Sequence, residues 1–117
     1  MLQILTYNIP DHLRGDTWNG FPSISITRDG NPLPLSGANV LMQFRKDVDS
    51  PVALELSTDN GGVTITDPIN GVLSVPPVLI TMQYGTYHYD LQVVLPNGYT
   101  KTYMKGNWNI VGDISHT

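Results

Sequence analysis

The chain has 117 residues, one domain's worth, with no cysteine and a formal net charge of −4. This excludes disulfides and thiolate metal sites and removes any need for an oxidising compartment; the six Lys and Arg are scattered, so no basic surface for nucleic acid is expected. Charged residues make up 14%, against roughly 25% in a typical soluble domain, and 11 Gly and 9 Pro mark a turn-rich chain, which fits an ordinary β-protein or one packed against neighbours.

The first eight residues, Met1 to Asn8, lack the charged region and long apolar core of a signal peptide, and no run in the chain reaches the 18 apolar residues that suggest a membrane span. The expectation is a protein made and folded in a cytoplasm, with no membrane partner. Leu2, Ile4, Leu5 and Tyr7 would make a poor free tail. They read as interface residues of an edge strand or arm over residues 1–8, one that a neighbouring molecule can accept. The next feature, Arg14-Gly15-Asp16, spells the integrin tripeptide, but turn preference accounts for it.

Short alternating stretches separated by turn dipeptides follow. Asn19-Gly20, Asp29-Gly30, Asn60-Gly61, Asn70-Gly71 and Asn97-Gly98 all favour tight reversals, because Asn and Asp tolerate positive φ and Gly adopts it freely. Ile24 and Ile26 alternate with Ser25 and Thr27. Val40, Met42 and Phe44 share one face, with Gln43 and Arg45 on the other, and Val63 and Ile65 alternate with threonines. This period of two marks strands with one buried side. Pro77 to Gln83 opens with proline and stops before Gly85, so at most one short helical turn is expected there.

Tyr87, Tyr89, Leu91, Val93 and Leu95 define a buried face, while His88, Asp90 and Gln92 point away. Tyr87, just after Gly85, stands where immunoglobulin-like sandwiches place a tyrosine whose hydroxyl bonds back to the upstream backbone; the other reading is an ordinary core aromatic. Asn97-Gly98 makes the clearest hairpin. In the last strand Met104, Trp108 and Ile110 share parity and belong to the core, as Tyr87 and Tyr89 do. Tyr99 and Tyr103 have the opposite parity and are interface candidates. About seven to nine short strands point to an all-β antiparallel sandwich or barrel, a single domain over 1–117.

Catalytic and metal constellations are not evident. His12, His88 and His116 lack zinc-ligand spacing. There is no Gly-x-Ser-x-Gly elbow and no phosphate loop, and Glu55 is the only glutamate. Asp47 and Asp49 alternate as at the start of a calcium loop, but the rest of that pattern is missing, and solvated loop carboxylates are the simpler reading. No enzyme, cofactor or metal site is expected.

The order of features resembles a known family. It runs from Arg14-Gly15-Asp16-Thr17-Trp18 and Ile24-Ser25-Ile26 to Asp29-Gly30-Asn31-Pro32-Leu33-Pro34-Leu35-Ser36-Gly37-Ala38, the strand Val40 to Lys46, and Ile69-Asn70-Gly71. It closes with Gly85-Thr86-Tyr87-His88-Tyr89-Asp90-Leu91-Gln92 and Lys105-Gly106-Asn107-Trp108-Asn109-Ile110-Val111-Gly112-Asp113-Ile114. This pattern, over residues 14–115, resembles the immunoglobulin-like N-terminal domain of phage upper baseplate proteins and related small virion proteins of the tail, baseplate or head surface. The resemblance implies an immunoglobulin-like sandwich in a virion assembled in the host cytoplasm, with other virion proteins as partners and a homo-oligomer as its state. In the baseplate proteins further domains follow. Here the sequence ends after the last strand, so the expectation is a small stand-alone adaptor, ornament or capsid decoration. The rival reading is a module for a host-surface glycan, with Tyr99, Tyr103, Asn107 and Asn109 as its platform.

Overall fold

The computed structural model describes residues 5–47 and 49–112. Thirteen strand segments follow one another. They are β1 (Leu5–Thr6), β2 (Ile9–Leu13), β3 (Thr17–Trp18), β4 (Phe21–Ser25), β5 (Thr27–Arg28) and β6 (Asn31–Pro32). Then come β7 (Asn39–Arg45), β8 (Leu54–Ser57), β9 (Thr64–Asp67) and β10 (Val72–Val75). The last three are β11 (Val78–Leu79), β12 (Gly85–Val94) and β13 (Thr100–Val111). Eight of these have four residues or more; the others are two-residue bridges.

The larger sheet runs β1-β13-β12-β7-β8, with β2 continuing the β1 edge along β13; the smaller runs β4-β10-β9. Pairing is antiparallel throughout except at the N-terminal edge, where β1 and β2 lie parallel to β13. With β4, β7, β8, β9, β10, β12 and β13 taken as B, C, C′, D, E, F and G, these are the B-E-D and G-F-C-C′ sheets of an immunoglobulin-like sandwich.

Alternation decides which side of each strand is buried. Val40, Met42 and Phe44 on β7, Tyr87, Tyr89, Leu91 and Val93 on β12, and Leu73 and Val75 on β10 all enter one core shared by the two sheets. Its centre is aromatic. The Trp108 ring lies 4.8 Å from Trp18 and 5.4 Å from Phe44, and Phe44 stacks on Tyr89 at 5.4 Å. Trp108 still satisfies its polar edge, since Nε1 donates to the Pro10 carbonyl at 3.0 Å.

The turn between β12 and β13 follows from Pro96-Asn97-Gly98. Gly98 N–H donates to the Leu95 carbonyl at 2.8 Å, Leu95 N–H donates to Tyr99 O at 2.8 Å, and Gly98 takes φ 87°. Proline at the second position and glycine at the left-handed one are what such a three-residue hairpin requires. At the opposite end of β12 the Tyr87 hydroxyl donates to the Gln83 carbonyl at 2.7 Å, which makes it a tyrosine corner.

The segment Pro77 to Gln83 forms no helical turn. Val78 pairs with Trp18 and Leu79 with Thr17, while Gly15 N–H bonds Ile80 O and Ile80 N–H bonds Asp16 O. Ile80 and Met82 are buried and Leu79 and Thr81 exposed, a strand period imposed by pairing with a distant segment.

Replacing Tyr87 with Phe keeps the ring and removes only the corner bond. Urea denaturation should show a loss of about 1 kcal/mol with unchanged m-value.

Candidate interaction surfaces

The N-terminal edge was expected to serve a neighbour, and from Leu5 onward it is held by its own domain. Leu2 and Ile4 lie outside the described residues. Leu5 and Thr6 pair with Met104 and Lys105, and Tyr7 N–H donates to Lys105 O at 2.9 Å. The Tyr7 carbonyl accepts the Tyr89 hydroxyl at 2.6 Å, and the Tyr7 ring meets Phe21 edge-on at 5.7 Å. Burial, with Tyr7 adding to it, pushes the Tyr89 hydroxyl well above the usual tyrosine range. A methyl group on Gly106 would collide with the Tyr7 carbonyl, so the close approach needs glycine there. Leu5 is still 61% exposed and Tyr7 41%, so this edge shows an apolar rim.

Tyr103 overturns its expected exposure. It is 8% exposed and belongs to the core. Leu91 pairs with Met104 but Gln92 pairs with Thr102, so Tyr103 is an extra residue in a β-bulge with no partner on β12. A bulge resets alternation, and Tyr103 and Met104 are both buried in consequence. The Tyr103 hydroxyl is buried without a hydrogen-bond partner among the described residues, and burial is the main cause of its raised pKa. Lys101 Nζ sits 5.4 Å from the centre of its ring.

Tyr99 keeps the expected exposure, at 41%, next to the β12–β13 turn. The β5–β6 hairpin brings Arg28 over its ring, 4.8 Å from the centroid. The four residues of the supposed sugar platform do not converge. Tyr103 is internal, Asn107 Oδ1 pairs with His88 Nδ1 at 2.7 Å, and Asn109 bonds Thr86 at 2.6 Å and Asp11 at 3.2 Å. Tyr99 lies about 25 Å from Asn107 at ~3.3 Å per residue along the strand.

The outer face of the larger sheet carries a different cluster. Asp90 on β12 has Gln43 on β7 and Lys105 on β13 as its cross-strand partners; one step along, His88 lies between Arg45 and Asn107. The Arg45 guanidinium donates to Gln43 Oε1 and to Ser50 O, each at 3.1 Å, and Gln43 Nε2 donates to Glu55 Oε1 at 3.0 Å. Gln43, Arg45, His88, Asp90 and Lys105, with Asp47, Tyr89 and Thr102, line an open depression of ≈ 740 Å³. Partial burial raises the pKa of the Asp90 carboxyl, and nearby Arg45 offsets the rise only in part.

Elsewhere the polar groups serve turns. Asp47 Oδ1 accepts Asp49 N–H at 2.9 Å, and Asp67 takes Asn70 N–H and Nδ2, which holds its pKa down. Among the described residues no three His, Cys, Asp or Glu side chains gather as metal ligands. Arg14-Gly15-Asp16 forms an exposed turn, with Arg14 against the Tyr84 ring at 5.9 Å. His12 Nε2 pairs with Asp16 O at 2.8 Å, and His116 lies outside the described residues.

In class, the chain is a cysteine-free immunoglobulin-like sandwich. No protein-family model and no curated protein matches it.

Sequence reasoning placed His88, Asp90 and Gln92 outward but did not join them to Gln43, Arg45 and Lys105. The outward parity of Gln43 and Arg45 was visible; their register against Asp90 was not.

Two stability measurements follow. Tyr103→Phe should be as stable as the parent or gain about 1 kcal/mol, because it deletes a hydroxyl buried without a partner. Asp90→Asn should raise the melting temperature at pH 7. A carboxyl whose folded pKa is raised binds its proton more tightly in the folded state, so its cost is full above that pKa. The advantage of asparagine should therefore shrink as pH falls and vanish below the ordinary value of 3.8, where both states are protonated.

Proposed function

We propose that the chain is a structural docking module of a phage particle, placed at the tail, baseplate or capsid surface and working by contact with other virion proteins. Two things support this reading: a set of sequence motifs that resembles those of baseplate immunoglobulin-like domains, and a fold whose sheets keep open borders. The observation that carries it is those borders. Among the described strands β8 pairs only with β7, β4 only with β10 and β9 only with β10. β4 and β9 therefore each leave a row of backbone N–H and C=O groups for a strand from a companion molecule, whereas the outer row of β8 is largely taken by its own chain, through Asn60 at Ser57 N–H and Glu55 O and through Val63 N–H at Ser57 O.

In this reading the aromatic core holds the borders rigid. A partner strand adds main-chain hydrogen bonds to an edge that does not need to reorganise, which lowers the ordering cost of association. The apolar rim at Leu5 and Tyr7 and the exposed Tyr99 supply side-chain contacts at neighbouring sites. The protein forms oligomers of itself or with particle proteins, and no catalytic role is assigned to it.

The test is location and mass. Antibodies against the chain should decorate purified particles at one fixed position in electron micrographs, and sedimentation at high micromolar concentration should show a species heavier than the monomer. A chain that stays in the lysate supernatant, away from particles, overturns the proposal.

A further inference from the structure

We propose that the depression on the outer face of the larger sheet is a binding site for a neutral, polyhydroxylated ligand, a sugar unit, with Asp90 as its central acceptor. The proposal goes beyond the particle role and uses a different surface from the open strand borders.

The β13 bulge makes the space. On a regular strand the outward side chains would follow every second residue. Because Tyr103 and Met104 are both buried, the outward row on β13 passes from Thr102, opposite Gln92, directly to Lys105, opposite Asp90. A bulge also bends its strand. The resulting hollow of ≈ 740 Å³ is within the size range of small-ligand sites.

The chemistry inside is mixed and balanced. Lys105 and Arg45 bring positive charge, and Asp90 and Asp47 bring an equal number of negative groups. Such a lining favours neither an anion nor a cation. It does offer donors and acceptors side by side: the Lys105 ammonium, the Thr102 hydroxyl and Arg45 on one hand, the Asp90 carboxylate and His88 on the other. His88 Nδ1 pairs with Asn107 Oδ1, which leaves Nε2 for a ligand hydroxyl. Hydroxyl groups donate and accept at once, and a ring bearing several of them matches this array better than a singly charged group does.

Asp90, Thr102 and Lys105 are the lining side chains left open to a ligand. The Asp90 carboxyl makes no hydrogen bond to the described residues and stands exposed between Gln43 and Lys105, within reach of a ligand. Two ligand hydroxyls would exchange its water contacts for charge-assisted hydrogen bonds. Part of the wall is already ordered. Arg45 is tied to both Gln43 and Ser50, Gln43 to Glu55, and His88 to Asn107, so these side chains have little freedom left to lose on binding.

The experiment is a nuclear magnetic resonance titration of the ¹⁵N-labelled full chain. The probes are the methyl glycosides of glucose, galactose, rhamnose and N-acetylglucosamine, with inorganic phosphate and N-acetyl-lysine amide as charged alternatives. At least one glycoside should give saturable shifts at the Gln43, Asp90 and Lys105 amides, with a Kd of order millimolar. Asp90→Ala should weaken that binding at least tenfold while retaining a folded spectrum, and Tyr99→Ala should leave it unchanged. The proposal is overturned if no glycoside saturates, if phosphate or the lysine amide binds more tightly, or if Asp90→Ala binds like the parent. Particle labelling reads the docking-module role separately, so either reading can fail while the other stands.

Discussion

The antiparallel ladder between β12 and β13 is the constraint on which the other parts depend. It runs from the Gly85–Ile110 pair to the Val94–Thr100 pair and is closed by the Pro96-Asn97-Gly98 turn. Every other strand of the larger sheet hangs from it: β7 and then β8 from one border, β1 and β2 from the other. The ladder also sets the core. Tyr87 and Trp108 are cross-strand partners on its inner face, and Trp108 gathers Trp18 and Phe44 around it. Without a disulfide, this aromatic cluster and its hydrogen-bonded edges take on the task of tying distant segments together.

One irregularity in that ladder links the inside to the outside. The extra residue at Tyr103 adds a large ring to the core and, by the same shift, opens a gap in the outward row of β13. On the inner side the result is a hydroxyl without a partner; on the outer side it is a carboxyl whose pKa is raised by partial desolvation. Both features oppose stability locally. They persist because the pairing on either side of the bulge holds the backbone in place, a common arrangement where a surface has a task besides folding.

Much of this was legible in the residues. The period of two in Val40-Met42-Phe44 and in Tyr87-Tyr89-Leu91-Val93 gave the buried faces, Asn97-Gly98 marked the hairpin, and the position of Tyr87 after Gly85 pointed to the tyrosine corner. The misreadings share one cause, contacts between residues far apart in sequence. Nothing local to Tyr103 announces a bulge, since the insertion is defined only against β12, and parity carried from Trp108 across it put the ring on the wrong side. Proline at Pro77 allowed at most one helical turn, and pairing of Val78 and Leu79 with Trp18 and Thr17 left none. The cluster around Asp90 depends on cross-strand register, which single-strand patterns do not contain.

The parallel border bears on the order in which the molecule assembles. Leu5 to Leu13 find their partners at Met104 to Val111, and the bonds that lock them, Asn8 to Asn107 and Pro10 to Trp108, span nearly the whole described chain. During synthesis the first strands leave the ribosome long before those partners exist. They must wait, unpaired and partly apolar, until the final hairpin has emerged. The later-made strand is thus the template for the earlier-made ones, and the interval between them is when this chain is most open to pairing with another copy of itself.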